Sequence, residues 1–193
     1  NNLIHELIEF RRIETGNREV RVESLNVSSI VKGIAKTFVE MAKSRNITFL
    51  SKIPEQVMWN SDKGFLNTII INLISNAFKY TPDGQSIKIE VDTSRENMLA
   101  LRVANEGSTI KEKDFQYIFN RYAILDNFEN QDEKNFSRNG LGLAISYNMA
   151  KLLNGTLKVE NTPDGWVMFT LTLPVVRLTT GVSETKRPTA EYI

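Results

Sequence analysis

The sequence predicts a two-layer α/β sandwich, a mixed sheet with its helices on one face. Three observations point there. Helical and strand periodicities are interspersed along the chain rather than segregated. Two strand pairs are separated by short turns, Ser94 to Asn97 and Pro163-Asp164-Gly165, which suit hairpins and not the helical crossovers of a doubly wound sheet. The longest helical pattern has a broad apolar face of the kind that lies on a sheet.

The elements follow in order. Leu3, Leu7, Ile8 and Phe10 lie on one face of a first helix, which stops near Thr15-Gly16-Asn17. A short extended piece around Val20 and Val22 leads to a second helix, where Val27, Val31, Ile34, Phe38 and Met41 recur at helical spacing. Ile47 to Ile53 alternates as a strand and ends at Pro54. Asp62 is placed to N-cap a long helix over 63–80, closed by the turn residues Thr81-Pro82-Asp83-Gly84. Strands are expected over 87–91 and 98–103, then a short helix over 114–119. Asn120 to Asn139 is polar and aperiodic, and a loop that long in a compact domain is usually functional. A helix over 141–153 stops at Gly155, and strands over 156–160 and 166–173 complete the pattern.

Composition sets outer limits. A chain of 193 residues, 41% hydrophobic, buries a core without staples. Lys+Arg 24 against Asp+Glu 23 leaves a net charge of +1, which argues against a nucleic-acid or anionic-membrane surface. The absence of cysteine excludes disulfides and thiolate metal sites and favours a reducing compartment. No apolar stretch is long enough to cross a bilayer; the most apolar, from Ile69 to Ile74, is broken by Asn72.

That asparagine belongs to NLISNAFKYTP, residues 72–82. With Asn72 at zero on a helical wheel, Asn76 falls at about 40°, Lys79 at about 340° and Tyr80 at about 80°. Ile70, Leu73, Ile74, Ala77 and Phe78 fill the opposite arc, and only Ile69 intrudes on the polar side. A solvated surface would also give such a face. Asparagine is a poor interior helix residue, however, because its side chain competes for backbone hydrogen bonds. Two on one face weaken the helix with no structural benefit. Amide oxygens are hard ligands suited to Mg²⁺, which keeps phosphates or waters in its shell. Lys79 adds a point charge for phosphates and Tyr80 a flat face for a base. The face is read as built for a metal-bound nucleotide.

Asn139-Gly140-Leu141-Gly142-Leu143 opens the helix that follows the polar loop. Glycines admit close backbone approach, and free N–H groups at a helix start favour an anion. Alone a G-x-G is weak; with the polar face it supplies the other half of a phosphate site. A third stretch, Val103 to Ile110, runs a strand into a glycine turn, where an acceptor could meet an exocyclic amine.

In this order and spacing these stretches resemble the catalytic and ATP-binding domain of sensor histidine kinases, a branch of the Bergerat-fold ATPases. NLISNAFKYTP looks like the N box, NEGSTI like the first glycine box, IFNRY (118–122) like the F box and NGLGLAI like the second glycine box. The wording is most similar to hybrid two-component sensors of Bacteroidetes. The resemblance implies that residues 25–176 form the catalytic domain, with a lid over 120–139. It implies that 1–16 end the second dimerisation helix, 17–24 link it, and 177–193 are a linker or tail. It further implies that Asn76 coordinates Mg²⁺, that Asn72 and Lys79 hold phosphates, and that Tyr80 lines the adenine pocket. Asn105 stands where the family has an adenine-reading aspartate, Gly107 and Ile110 shape that pocket, and Asn139, Gly140, Leu141, Gly142 and Leu143 form the hinge beneath the phosphates. ATP and Mg²⁺ are the expected cofactors.

This sequence departs from the family at Asn105, at Thr109 in place of a glycine, and at Arg138-Asn139 in place of Gly-Thr. Asn105 loses charge assistance of order 1 kcal/mol, so weaker ATP binding and poorer discrimination against guanine nucleotides are expected. His5-Glu6-Leu7 imitates the start of a phosphoacceptor box, but no Thr-Pro follows and the location is wrong. His5 is therefore rejected as the acceptor, which is expected upstream. A hydrolase of this fold needs a carboxylate base where Asn72 stands. The expected activity is transfer of the ATP γ-phosphoryl group to a histidine, the alternative a degenerate nucleotide-binding scaffold. Expected partners are the chain's own dimerisation domain, in a homodimer, and a receiver domain or response regulator. The expected location is cytoplasmic, as the soluble part of a membrane-anchored sensor without direct membrane contact.

Overall fold

The computed structural model describes residues 8, 11–13, 15, 18–120 and 141–177. They form β1 (Val22–Asn26), α1 (Val27–Thr37), α2 (Val39–Ser44), β2 (Thr48–Lys52), β3 (Met58–Asp62), α3 (Lys63–Tyr80), β4 (Ser86–Asp92), β5 (Met98–Glu106), α4 (Gly142–Leu152), β6 (Thr156–Asn161) and β7 (Trp166–Pro174). Five strands pair in the order β2-β4-β5-β7-β6, and β1 pairs separately with β3. β2 and β4 are parallel; the other neighbours are antiparallel. The mixture follows from the connections. β2 reaches β4 only after α3, as a parallel pair requires, whereas β4–β5 and β6–β7 are joined by short turns.

Strand alternation places one face of the sheet in the core. Ile87, Ile89 and Val91 of β4, Leu99, Leu101 and Val103 of β5, and Val167, Phe169, Leu171 and Leu173 of β7 are all buried. Against them α3 buries Phe65, Leu66, Ile69, Ile70, Leu73, Ile74, Ala77 and Phe78. Each large side chain contributes about 1.5–3 kcal/mol relative to exposure, far more than the two helix-weakening asparagines cost. Phe78 stacks on Phe38 at 5.3 Å and meets Phe49 edge-on at 5.2 Å, joining α3 to the end of α1 and to β2.

Both ends of α3 are fixed by side chains. Asp62 Oδ1 accepts from the Phe65 N–H at 2.9 Å, the expected N-cap, while Oδ2 accepts from the Arg21 N–H at 2.8 Å. At the other end the Arg45 guanidinium donates to the carbonyl oxygens of Phe78 and Thr81, at 2.5 and 2.7 Å, and to Asp83 at 2.7 Å. These carbonyls would otherwise lack partners, because a helix leaves its last four unsatisfied.

The structure departs from the periodicity at several points. β3 is a strand that alternation did not reveal; its last residues, Ser61 and Asp62, are polar and buried. The extended piece expected around Val20 and Val22 is in part β1, which begins at Val22 and runs on to Asn26. The expected second helix breaks at Phe38 (φ −97°, ψ −4°). After a 3₁₀ turn at Glu112–Asp114, the region expected as a short helix is a succession of turns. Asn154, not Gly155, takes the left-handed conformation after α4, with φ 55°. Gly155 is required instead because a Cβ there would strike the Thr172 backbone oxygen. Ile8, expected on an apolar helix face, is 47% exposed, while Ile13 is buried. Leu3, His5, Leu7 and Phe10 lie outside the described residues, as do 178–193.

Candidate functional site

Asn72, Asn76, Lys79 and Tyr80 are all half-buried, in contrast to the fully buried arc opposite them. Ile69, which intrudes on the polar side of the wheel, is fully buried, so packing covers it. Through Asn72 the polar side meets α4. Asn72 Nδ2 donates to the Gly142 carbonyl oxygen at 3.0 Å and to Ser146 Oγ at 3.0 Å. A Cβ at Gly142 would lie 3.4 Å from Asn72 Cγ, an ordinary van der Waals contact, so the approach does not itself require glycine. The two stretches expected to share one site are therefore joined directly.

That join changes the expectation for Asn72. A carboxamide has two N–H protons, and both are directed at α4. Only Oδ1 remains, and an acceptor oxygen repels phosphate oxygens. In this structure the Asn72 amide ties the two helices together. One turn on, the Asn76 amide forms no hydrogen bond with a described residue. Lys79 Nζ sits over the Tyr80 ring, 5.0 Å from its centroid, so one face of that ring carries the ammonium rather than a base.

α4 starts at Gly142 with no side chain capping it, and the Ile145 N–H bonds to Leu141 O at 2.8 Å. The N–H groups of the first turn point out of the helix start, where the dipole favours an anion. Leu141 is fully buried and Leu143 packs on the core, which anchors this turn. Asn139 and Gly140, with the rest of 121–140, lie outside the described residues. Phe119, in the stretch that precedes them, stacks on Tyr147 of α4 at 5.1 Å.

The far end of the site is the tip of β5. The last row of the inward sheet face runs Phe49, Ile87, Asn105, Val167, Asn161. Its two asparagines grip the loop after β5. Asn105, 3% exposed, donates from Nδ2 to Ser108 Oγ at 2.8 Å. Asn161 clamps Ile110, accepting from its N–H at 3.2 Å and donating to its carbonyl at 2.6 Å. Gly107 turns the chain with φ +80°, and a Cβ there would lie 2.8 Å from Pro82 Cδ. The loop thus abuts the C-terminal end of α3. Eight residues separate Asn72 from Tyr80, about 12 Å of helix, so the site is elongated between the α4 start and the β5 tip.

No cluster of three or more His, Cys, Asp or Glu side chains suited to a metal occurs among the described residues. A single amide oxygen at Asn76 fits a hard cation that takes its other ligands from phosphate and water. A surface cleft of about 570 Å³ lined by Arg18, Arg21, Glu23, Asp62 and Lys63 includes none of these residues. Ser146, Ser108, Asn161 and Pro82 were not legible as site residues. Each acts through a partner that only the fold supplies, except Ser108, three residues from Asn105 in a turn that gives no periodic signal.

A family profile described as "Histidine kinase-, DNA gyrase B-, and HSP90-like ATPase" matches residues 61–177. Histidine kinase P4 of Formosa agariphila is 30% identical over 177 residues, covering 91% of this chain and 13% of its own length. Among solved structures, full-length ShkA in complex with AMPPNP superposes with a TM-score of 0.77 at 18% identity, covering 92% of this chain and 36% of ShkA. The histidine kinase ThkA, in complex with the response regulator protein TrrA, gives a TM-score of 0.69 at 22% identity over 91% of this chain and 49% of ThkA. At these identities the structural likeness concerns the fold, which is also that of the catalytic domain of the histidine kinase ThkA.

Proposed function

Because this chain belongs to the histidine kinase-, DNA gyrase B- and HSP90-like ATPase family, whose domain binds ATP, we propose that it is the catalytic part of a sensor histidine kinase. The observation that carries this choice is Asn72. Hydrolases of the fold need a carboxylate there to take a proton from water; here an amide holds α3 to α4 and cannot accept one. A neutral histidine acceptor brings its own lone pair and needs no such base. Positioning and charge neutralisation then supply most of the rate.

In this reading the triphosphate lies along the polar side of α3, with the first turn of α4 beneath it. Lys79 meets phosphate charge, the β5 tip holds the base, and Asn76 offers its amide oxygen to Mg²⁺. When bound, the metal would neutralise the charge that develops on the phosphate oxygens. The chain's own contribution is rigidity. Asn72 sets the spacing of α3 and α4, Asn161 fixes Ile110, and Arg45 fixes the helical turn that bears Lys79 and Tyr80. The γ-phosphoryl group would pass from ATP to an imidazole nitrogen on the dimerisation domain, with ADP as the leaving group.

The chain spans 13% of its Formosa relative, so the partners are part of the proposal. They are a dimerisation hairpin bearing the acceptor histidine, within a homodimer, and a receiver domain or response regulator. The proposed division keeps 25–176 as the catalytic domain, with its first strand starting slightly earlier, at Val22. A hybrid sensor of Bacteroidetes type agrees with the Formosa likeness. Among the described residues no helix is long and apolar enough to cross a membrane. A cytoplasmic position below a membrane anchor is inferred from the kinase reading.

Two measurements test this. A thermal shift with MgATP at about a hundred times its dissociation constant should add roughly 2.7 kcal/mol. Incubation with the full dimerisation hairpin and γ-labelled ATP should label a histidine of the hairpin. Binding without any label would favour a scaffold; no binding would end the nucleotide reading altogether.

A further inference from the structure

We propose that Asn105 and Ser108 form an invertible reader of the purine 6-position, so that this site accepts guanine as well as adenine nucleotides. The inference rests on the nucleotide reading above and deepens it by naming the substrate range. It starts from an anomaly in the core. Along β5 the inward side chains are Leu99, Leu101, Val103 and then Asn105, an amide 3% exposed at the end of an apolar row. A buried amide left half satisfied is costly. Its nitrogen donates to Ser108 Oγ at 2.8 Å, while Oδ1 accepts no hydrogen bond from a described residue.

The chemistry of the pair matters more than the single contact. A serine hydroxyl donates as well as accepts. In the observed arrangement the amide N–H₂ gives a hydrogen bond to Ser108, which leaves Oδ1 as an acceptor that no described residue fills. An acceptor there suits the exocyclic amine of adenine. If the amide turns over, Ser108 Oγ–H donates to Oδ1 and the N–H₂ is presented instead. A donor there suits the 6-carbonyl of guanine. Both states keep the internal bond, so inversion sacrifices nothing within the protein. A carboxylate at this position could present only an acceptor.

The surroundings hold the pair in place. Gly107 seats the turn against Pro82, and Asn161 locks Ile110 through both backbone groups, so the loop carrying Ser108 is tethered on both sides. Ser108 acts through Asn105 and is a positioning residue. Its own contribution to selectivity lies in being both donor and acceptor.

The test is a competition titration of ATP and GTP against the wild-type chain and the variants Asn105→Asp, Ser108→Asp and Ser108→Ala. Wild type should bind the two nucleotides within about tenfold of each other. N105D and S108D, each leaving only an acceptor for the base, should raise the ATP:GTP preference by roughly tenfold or more. S108A removes the internal bond from both states, so it should weaken both nucleotides and leave their ratio within about twofold. ATP binding by N105D certifies that it is folded. ATP binding by wild type without displacement by GTP, or an unchanged ratio in N105D and S108D, would overturn the invertible pair alone. Failure of both nucleotides to bind wild type would overturn the nucleotide reading beneath it.

Discussion

The side-chain nitrogen of Asn72 lies 3.0 Å from the carbonyl oxygen of Gly142, tying the middle of the longest helix to the first residue of a helix 70 positions later. The bond uses an amide where a hydrolase of this fold would carry a carboxylate. Replacing it with the isosteric Asn72→Asp would set a carboxylate against the Gly142 carbonyl, two acceptors with no proton between them. The variant should lose about 1–3 kcal/mol in urea denaturation and bind ATP more weakly. Wild-type stability in N72D would show that the two helices are spaced by packing alone.

Arg45 satisfies the carbonyls of Phe78 and Thr81 at the end of α3. Hydrogen bonds from a charged donor contribute about 1.5–3 kcal/mol each when buried, and this side chain is 20% exposed. Arg45→Ala should cost about 2 kcal/mol or more and weaken ATP binding, because the frayed turn carries Lys79 and Tyr80. Arg45→Lys should restore little, since one ammonium cannot span the Phe78 and Thr81 carbonyls and the Asp83 carboxylate. Denaturant midpoints of the three proteins decide it.

Two glycines with nearly equal backbone geometry separate strain from crowding. Gly84 and Gly107 both have φ +80°, but a Cβ at Gly84 meets nothing within 4 Å while one at Gly107 lies 2.8 Å from Pro82 Cδ. Gly84→Ala should cost about 1 kcal/mol, the conformational term alone. Gly107→Ala should cost clearly more and should also lower ATP affinity, because the loop would move off Pro82. Calorimetry gives the first comparison and nucleotide titration the second.

Asp92 lies on the outer side of the sheet, away from the site. The Ser94 backbone N–H and hydroxyl, then the Arg102 guanidinium, hold its pKa down to about 2 from 3.8. A depressed carboxylate stabilises the fold above its unfolded pKa, and that stabilisation is lost as pH falls towards the folded value. The wild type should therefore melt above Asp92→Asn at neutral pH, and the gap should close between about pH 4 and pH 2. A gap constant across that range would mean that the charge plays no part. ATP affinity at neutral pH should be the same in both proteins.

Much of the architecture was legible because it is written in local repeats. The period-two burial of β4, β5 and β7 and the face of α3 need only the chain's own spacing. The cap at Asp62 was equally local, since its acceptor and the Phe65 N–H are three residues apart. β3 was missed because MWNSD has no alternation; it is a strand through pairing with β1, and its buried polar end serves the start of α3. The helix stop falls at Asn154 rather than at Gly155, and the glycine yields space to β7.

The sequence alone determined that Asn72, Asn76, Lys79 and Tyr80 share one side of a helix, because helical rotation depends on nothing beyond position in the chain. It also marked Asn105 and the Gly142 turn as chemically unusual. Only the tertiary structure decided how those groups are used: that Asn72 directs its protons into α4, and that Asn105 leans on Ser108 while Asn161 reaches 51 positions back to hold Ile110. A side chain's type fixes what hydrogen bonds it can make. Which of them it makes depends on what packing brings within about 3 Å, and that is a property of the whole fold.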